Sequence, residues 1–329
     1  MPKLGTHGRR RGILRHVRAT LSAPRTGRGA SARTAEHWGK HADAWYQGGA
    51  MHWTELEAVQ RRINRRVSGD PLVDPYQYVL ARYFAGRLPL ERALTLGCGT
   101  GELERGLVQY GFCSRHDAFD IAEEAILKAR DAARRAGLEH LRYEVADVNR
   151  IELPAQTYDC VWGVHSIHHL AALEHVFGQV RRALKPGVYF VLNEFVGPTR
   201  FQWTDRQLEV INGLLRTLPA HLRVRCGTAQ TLKSEVTRPT IAEMKRIDPS
   251  EAIRSAEIRP LFPRYFEVVE VKGYGGTVLH MLLHEIAGNF QNADPATSAI
   301  LEAICDLEEA LVALGDLPHD FAMIVGCAR

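Results

Sequence analysis

No stretch of this sequence approaches the ~18 uninterrupted apolar residues that a membrane-spanning helix needs, so no span is expected. No two of the six cysteines (Cys98, Cys113, Cys160, Cys226, Cys305 and Cys327) form a C-x-x-C pair, which argues against a thiolate metal centre. No secretory apolar core precedes the body, so the expectation is a soluble protein of the reducing cytoplasm. No internal repeat is present, and 45 % hydrophobic with 24 % charged residues excludes collagenous, low-complexity and disordered classes for the chain as a whole. Acidic residues are missing from positions 1–35, where nine basic ones stand: Lys3, Arg9, Arg10, Arg11, Arg15, Arg18, Arg25, Arg28 and Arg33. The whole chain carries a formal +4, so the remainder carries a net −5. A mildly acidic body argues against a nucleic-acid enzyme working through a basic groove. Residues 1–35 read as a disordered, solvated tail, although an acid-free Arg-rich start also has transit-peptide composition.

The 329 residues are enough for one elaborated domain or two. Residues 36–90 read as a helical cap. Trp38, Ala42, Trp45 and Tyr46 share a face, and further helices are expected over 53–67 and 76–84, parted by Gly69–Asp70–Pro71. Residues 91–329 form the main domain. Short apolar strands are expected at 93–96, 117–121, 141–145, 158–164 and 188–195, alternating with amphipathic helices at 102–110, 122–136 and 170–184. Lys185–Pro186–Gly187 reads as a turn. This alternation implies an α/β, doubly wound parallel sheet with both faces covered. The rhythm then stops: 198–262 is helical and irregular, 266–274 is a sixth strand, helices follow at 278–290 and 297–314 within an insertion at 277–315, and 321–327 is a seventh strand.

The most informative segment is Leu94-Thr-Leu-Gly-Cys-Gly-Thr-Gly101. Gly97, Gly99 and Gly101 stand at a strand-to-helix turn, where missing side chains let the backbone approach a ligand and the following helix start favours a negative group. A dinucleotide enzyme would prefer G-x-G-x-x-G, but the third glycine's place is taken by Glu102, which would repel a pyrophosphate. A zwitterion with an amino-acid end tolerates that acid better. Asp120 ends strand two, where a carboxylate can accept both hydroxyls of an adenosine ribose. Asp147 follows strand three, where it can take the exocyclic amine of adenine while the next backbone N–H, that of Val148, completes the base edge.

These residues carry a resemblance to the class I S-adenosylmethionine (SAM)-dependent methyltransferases, of the bacterial small-molecule type. LTLGCGTG resembles the family's glycine-rich motif and FDIAEEAILKAR its acidic strand-two motif. YEVADV, YDCVWGVHSIHHL and ALKPGVYFVLNE resemble the third, fourth and fifth motifs. The resemblance implies a Rossmann-like seven-stranded sheet whose last strand runs antiparallel between strands five and six, here with an N-terminal helical cap and helical insertions after strands five and six. It implies SAM as cofactor, held by Gly97, Cys98, Gly99, Gly101, Asp120, Ile121, Asp147 and Val148, with His165 against the methionine portion. Tyr46, with Trp45, would close over the sulfonium, where aromatic faces attract cations, unless these rings only anchor the core.

On the substrate side the resemblance places His168 and His169 facing the acceptor. His169 and Glu194 are the candidate bases. Asn193, Arg200, Tyr274 and His280 are candidate substrate residues, with an Arg200–Glu194 ion pair as the bland alternative. No carboxylate stands at ligand spacing from His165-Ser-Ile-His168-His169, so no metal is assigned. Asp248-Pro-Ser-Glu-Ala-Ile-Arg-Ser255 reads as a lid or a solvated loop, and Phe201 and Trp203 as a pocket wall or core. The expected activity is methyl transfer to a hydroxyl of a small or medium-sized acceptor in bacterial secondary or glycan metabolism. Three alternatives stay open: intramolecular SAM chemistry releasing methylthioadenosine, an NAD-dependent oxidoreductase (opposed by Glu102 and the position of Asp147), and a non-catalytic SAM-binding protein. The partner is a small molecule; oligomeric state is open.

Overall fold

A computed structural model describes residues 34–35, 51–227, 231–291 and 294–329. Tyr46 and Trp45, residues 1–33 of the tail, and the helix expected from 36 lie outside these residues.

The sheet is built from β1 (Ala93–Leu96), β2 (His116–Asp120), β3 (Leu141–Val145), β4 (Tyr158–Val164), β5 (Leu184–Phe195), β6 (Glu267–Gly275) and β7 (Phe321–Cys327), in the order β3-β2-β1-β4-β5-β7-β6. β1 to β5 pair in parallel, and β7 runs antiparallel between β5 and β6. The central strands are apolar on both sides because helices cover both faces. One face packs α5 (Leu173–Ala183) and α8 (Ser255–Leu261), with Phe177, Val180, Ile258 and Leu261 buried against Val161, Phe190 and Ile324. On the other face α1 (Glu57–Ser68) and α2 (Pro75–Tyr83) bury Val59, Ile63, Val67, Val79 and Leu80. They share one core with Trp162, Val191 and Val325 of the sheet, and with α6 (Asp205–Thr217), α9 (Leu279–Leu283) and α10 (Pro295–Ala313). The remaining helices are α3 (Glu102–Val108), α4 (Glu123–Arg135) and α7 (Ile241–Ile247).

Three expectations need correction. Lys185–Gly187 is not a turn before the strand. β5 already begins at Leu184, and the register slips from Tyr158↔Leu184 to Cys160↔Tyr189, with Gly187 at φ 71 absorbing the extra residues. The helix expected over 170–184 starts only at Leu173, because Ile167–His169 form a separate 3-10 turn and Asn149 Oδ1 accepts the N–H groups of Ala171 and Ala172. The helix expected over 278–290 stops at Leu283. There the buried Lys233 ammonium donates to the carbonyls of Met281, Leu282 and His284, satisfying the groups a continuing helix would have used, and Glu285 turns to φ 66. A separate 3-10 turn follows at Ala287–Phe290.

One buried acid sits in the framework. Glu104, on the inner face of α3, is 1 % exposed and lines a pocket of about 370 Å³ with His116, Cys113 and His140. Burial pushes its carboxyl up to about 7. The folded state therefore holds the proton more tightly than the unfolded chain, so stability falls as pH rises from about 4.5 to about 7. Glu104→Gln is expected to be more stable than the native chain in urea unfolding at pH 8, by roughly 3 kcal/mol, and to match it near pH 4.5. An equal difference at both pH values would contradict the buried-charge explanation.

Candidate active site

The C-terminal ends of the parallel strands form one edge, and the strand order sets Asp147, Asp120, the glycine turn, His165 and Asn193–Glu194 along it in that sequence. The turn is tied to its neighbours. The N–H groups of Gly97 and Cys98 donate to Phe119 O at 2.7 and 3.0 Å. The Gly99 N–H donates to Asp120 Oδ2 at 2.9 Å, and the Ala122 N–H to Asp120 Oδ1 at 2.8 Å. Gly97 and Gly101 sit at φ 69 and 79, and a Cβ there would lie 2.4 Å from Ser166 Cβ and 2.6 Å from the Tyr143 ring. A Cβ on Gly99 would meet nothing within 4 Å. Space is open above the bare backbone beside a carboxylate, which fits a nucleoside carrying an amino-acid end. Half-buried Ile121 follows Asp120.

Asp147 lies at the adjacent strand tip, with the Ala146 N–H donating to Asp120 O at 2.8 Å. Its carboxylate also caps a short turn, accepting the Asn149 N–H at 3.0 Å and lying 3.7 Å from Arg150 Nε. Val148 has its side chain in the core, leaving its backbone at the edge. Cys98 is a half-buried neutral thiol, since burial, with Glu104 and Asp120 nearby, raises its pKa well above the ordinary value.

At the tip of β4, His165 is exposed at φ 49, its N–H on Asn193 O. Ser166 Oγ donates to Leu96 O at 2.6 Å, fastening this loop to β1. Glu194 is 0 % exposed and corrects one expectation: it faces inward rather than presenting a free base or pairing with Arg200. Its Oε1 accepts the N–H groups of Ser166 and Ile167, each at 2.7 Å, and its Oε2 meets His168 Nδ1 at 2.6 Å. Burial pulls the His168 pKa down, but the charge and hydrogen bond of Glu194, with Glu251 and Asp248 behind, outweigh it and leave it raised. For Glu194, burial acts upward, and His168, His165 and the Ile167 N–H reverse it. The two form a buried hydrogen-bonded pair, with His168 Nε2 on the side of the ring away from Glu194, 3.7 Å from Glu251 Oε1. The His168 and His169 rings lie 4.1 Å apart, and His169 Nδ1 is 3.2 Å from Ser250 Oγ and 3.9 Å from Asp248 Oδ2.

The 248–255 stretch is neither lid nor solvated loop. Arg200, at φ 56, spends its guanidinium on the carbonyls of Asp248, Pro249 and Glu251, so it clamps this stretch instead of facing a substrate. The Ile253 N–H donates to His168 O, and Arg254 binds Glu174 and Glu257. Glu251 was missed because it stands more than eighty residues from the histidines; the only signal was the polar character of its segment. Asn193 is also occupied internally: its Oδ1 accepts from Tyr274 OH at 2.7 Å, and its Nδ2 donates to Tyr76 OH at 3.1 Å. This lock between β5, β6 and α2 corrects the assignment of both Asn193 and Tyr274 as free substrate contacts.

His280 lies among rings, its centroid 5.3 Å from Phe321, 5.8 Å from Phe201, 6.0 Å from Phe195 and 6.4 Å from both Trp53 and Trp203. Burial drops its pKa well below the ordinary value, so it is a neutral imidazole, and its buried Nδ1 has no hydrogen-bond partner among the described residues. Phe195 and Phe321 are paired across β5 and β7 at the same edge as His165.

Residues 94–192 match a family model described as a methyltransferase domain. Over 203 residues the chain is 28 % identical to 27-O-demethylrifamycin SV methyltransferase of Amycolatopsis mediterranei, covering 56 % of this chain and 72 % of that one. Over 152 residues it is 32 % identical to 24-methylenesterol C-methyltransferase 2 of Arabidopsis thaliana, covering 44 % of this chain and 41 % of that relative, and so less than half of the relative's length. A solved Haemonchus contortus phosphoethanolamine N-methyltransferase 2 with SAM bound aligns over 85 % of this chain and 61 % of its own, at 14 % identity and a TM-score of 0.47. Residues 94–192 of the chain form a methyltransferase domain of the class I SAM-dependent type, whose cofactor is SAM.

Proposed function

We propose that the chain methylates a hydroxyl oxygen of a small or medium-sized, largely apolar acceptor, with His168 as the group that takes the hydroxyl proton. The observation that carries this reading is the buried His168–Glu194 contact at 2.6 Å. Glu194 fixes the proton of His168 on Nδ1, which makes Nε2 the basic nitrogen. His169 stands beside it as a second polar contact rather than as the base, and Glu194 is a positioning residue.

SAM, when bound, supplies a methyl group activated on a positively charged sulfur. The chain's part is to bind, align and exclude water, and alignment alone is worth about 7–11 kcal/mol in well-oriented systems. In this reading the backbone at Gly97, Cys98, Gly99 and Gly101 receives the amino-acid end, Asp120 with Ile121 the ribose, Asp147 with the Val148 N–H the adenine edge, and His165 the methionine portion. The rings of Phe195, Phe201, Trp203 and Phe321 wall an apolar acceptor, and the unpartnered His280 Nδ1 offers it one polar contact. The named activity of the rifamycin relative, an oxygen methylation, supports oxygen as the target. The sterol relative's C-methylation supplies the competing reading, in which no hydroxyl proton is removed.

The test is to incubate the full chain with SAM and a panel of hydroxylated polycyclic compounds, alongside amine and alkene analogues of the same skeletons. Acceptor-dependent S-adenosylhomocysteine and an O–CH3 product are expected. Methylation at carbon or nitrogen only, or methylthioadenosine from SAM alone, would overturn the reading.

A further inference from the structure

We propose that His168, His169 and Glu251 form a binding site for a divalent transition-metal ion of the zinc class. One ligand atom from each of the three lies within 4.8 Å of the others. His168 Nε2 and Glu251 Oε1 are already 3.7 Å apart. Two ligands about 2.1 Å from a tetrahedral zinc are separated by about 3.4 Å, so modest side-chain rotations close the set. Two imidazoles and a carboxylate are borderline donors, suited to zinc or cobalt rather than to magnesium or calcium, which prefer oxygen alone.

The surroundings match what metal-ligating histidines use. The far nitrogen of a ligating imidazole ordinarily bonds a carboxylate or other acceptor, which fixes the tautomer and orientation of the ring. His168 has that partner in Glu194 at 2.6 Å, and His169 has Ser250 Oγ at 3.2 Å with Asp248 Oδ2 at 3.9 Å. The third ligand is held by its backbone, since Arg200 donates to the carbonyls of Pro249 and Glu251 and the Arg200 N–H bonds Ala252 O. His168 is 9 % and Glu251 21 % exposed at the side chain, so the cluster is recessed, with a route in past Glu251.

Occupancy has a functional consequence that rests on the His168 reading above: a nitrogen bound to metal cannot accept a proton, so zinc would suppress transfer. The experiment uses the full chain and two probes, Co2+ followed by its visible absorption and Zn2+ by calorimetry. One Co2+ per chain with a tetrahedral-type spectrum and no sulfur charge-transfer band is expected, which separates this site from the cysteines. Glu251→Gln and His169→Ala should each weaken Zn2+ at least tenfold, and Glu194→Gln, which removes the outer partner of His168, by about 10–100-fold, with unfolding midpoints showing each variant folded. Absence of stoichiometric binding, or equal affinity in native chain and Glu251→Gln, overturns the site. If Zn2+ binds and acceptor methylation continues undiminished, the site stands and the proton-accepting role of His168 falls.

Discussion

Glu194→Gln is expected to lower kcat by 10²–10⁴-fold while SAM affinity stays as in the native chain. The substituted side chain is isosteric, and its carbonyl oxygen can still accept the N–H groups of Ser166 and Ile167 that Glu194 Oε1 accepts. Its NH2 then faces His168 Nδ1 where a carboxylate oxygen stood. An amide donor there forces Nδ1 to become the acceptor and moves the imidazole proton to Nε2. The nitrogen that should take the acceptor's proton is thereby blocked without altering the pocket's shape. General bases contribute typically 10²–10⁴-fold, which sets the size of the loss. Steady-state kinetics with the acceptor found by screening gives kcat and KM separately, and nitrogen-15 chemical shifts of His168 report the tautomer. A merely structural Glu194 would lower stability and leave the tautomer as it was. A kcat within a few-fold of native, with the tautomer reversed, would remove proton transfer from the mechanism and favour carbon as the methylated atom.

How much of this was legible in the sequence follows from where each signal resides. β1, β3, β4 and β7 stand at the expected residues because short apolar runs bounded by glycine or charge are local signals. The glycine turn and Asp120 were legible for the same reason, since each marks a strand end. Contacts between residues far apart in the chain were not legible. Nothing in the spacing of His168 and His169 announces Glu251, because the 248–255 stretch reaches them only through the Arg200 clamp and the Ile253 N–H bond to His168. The inward turn of Glu194 was hidden too. A carboxylate at a strand tip reads as available until two backbone N–H groups and an imidazole are found on it. Asn193 and Tyr274 misled in the same way, since their polar ends satisfy one another across β5 and β6. Polar residues at the edge were thus correctly located, but which of them face the crevice depends on partners that only the folded chain brings together.

Asp120→Ala is expected to weaken SAM binding at least 100-fold, about 2.7 kcal/mol. Two losses combine. A carboxylate that accepts ribose hydroxyls contributes roughly 1.5–3 kcal/mol per charged hydrogen bond. The same carboxylate also ties the glycine turn, through the Gly99 N–H, to the start of the next helix, through the Ala122 N–H. Alanine removes both functions, so the cofactor-free variant should also unfold at a lower urea midpoint. Asp120→Asn separates them in part: its single carbonyl oxygen can accept one of the two N–H groups while its NH2 opposes the other, and it carries no charge for the ribose. Its affinity should lie between native and alanine. Burial raises the Asp120 pKa against the pull of the Ala122, Gly99 and Ile121 N–H groups. Because the ionised form is the one that accepts ribose hydroxyls, affinity should fall as pH drops through that raised pKa, and the fall should begin at a higher pH than an ordinary aspartate would give. Calorimetric titration of S-adenosylhomocysteine into native, alanine and asparagine chains across that range reads both effects. Unchanged affinity in Asp120→Ala would mean that the sugar is held elsewhere, and the placement of the nucleoside along the strand ends would have to be abandoned.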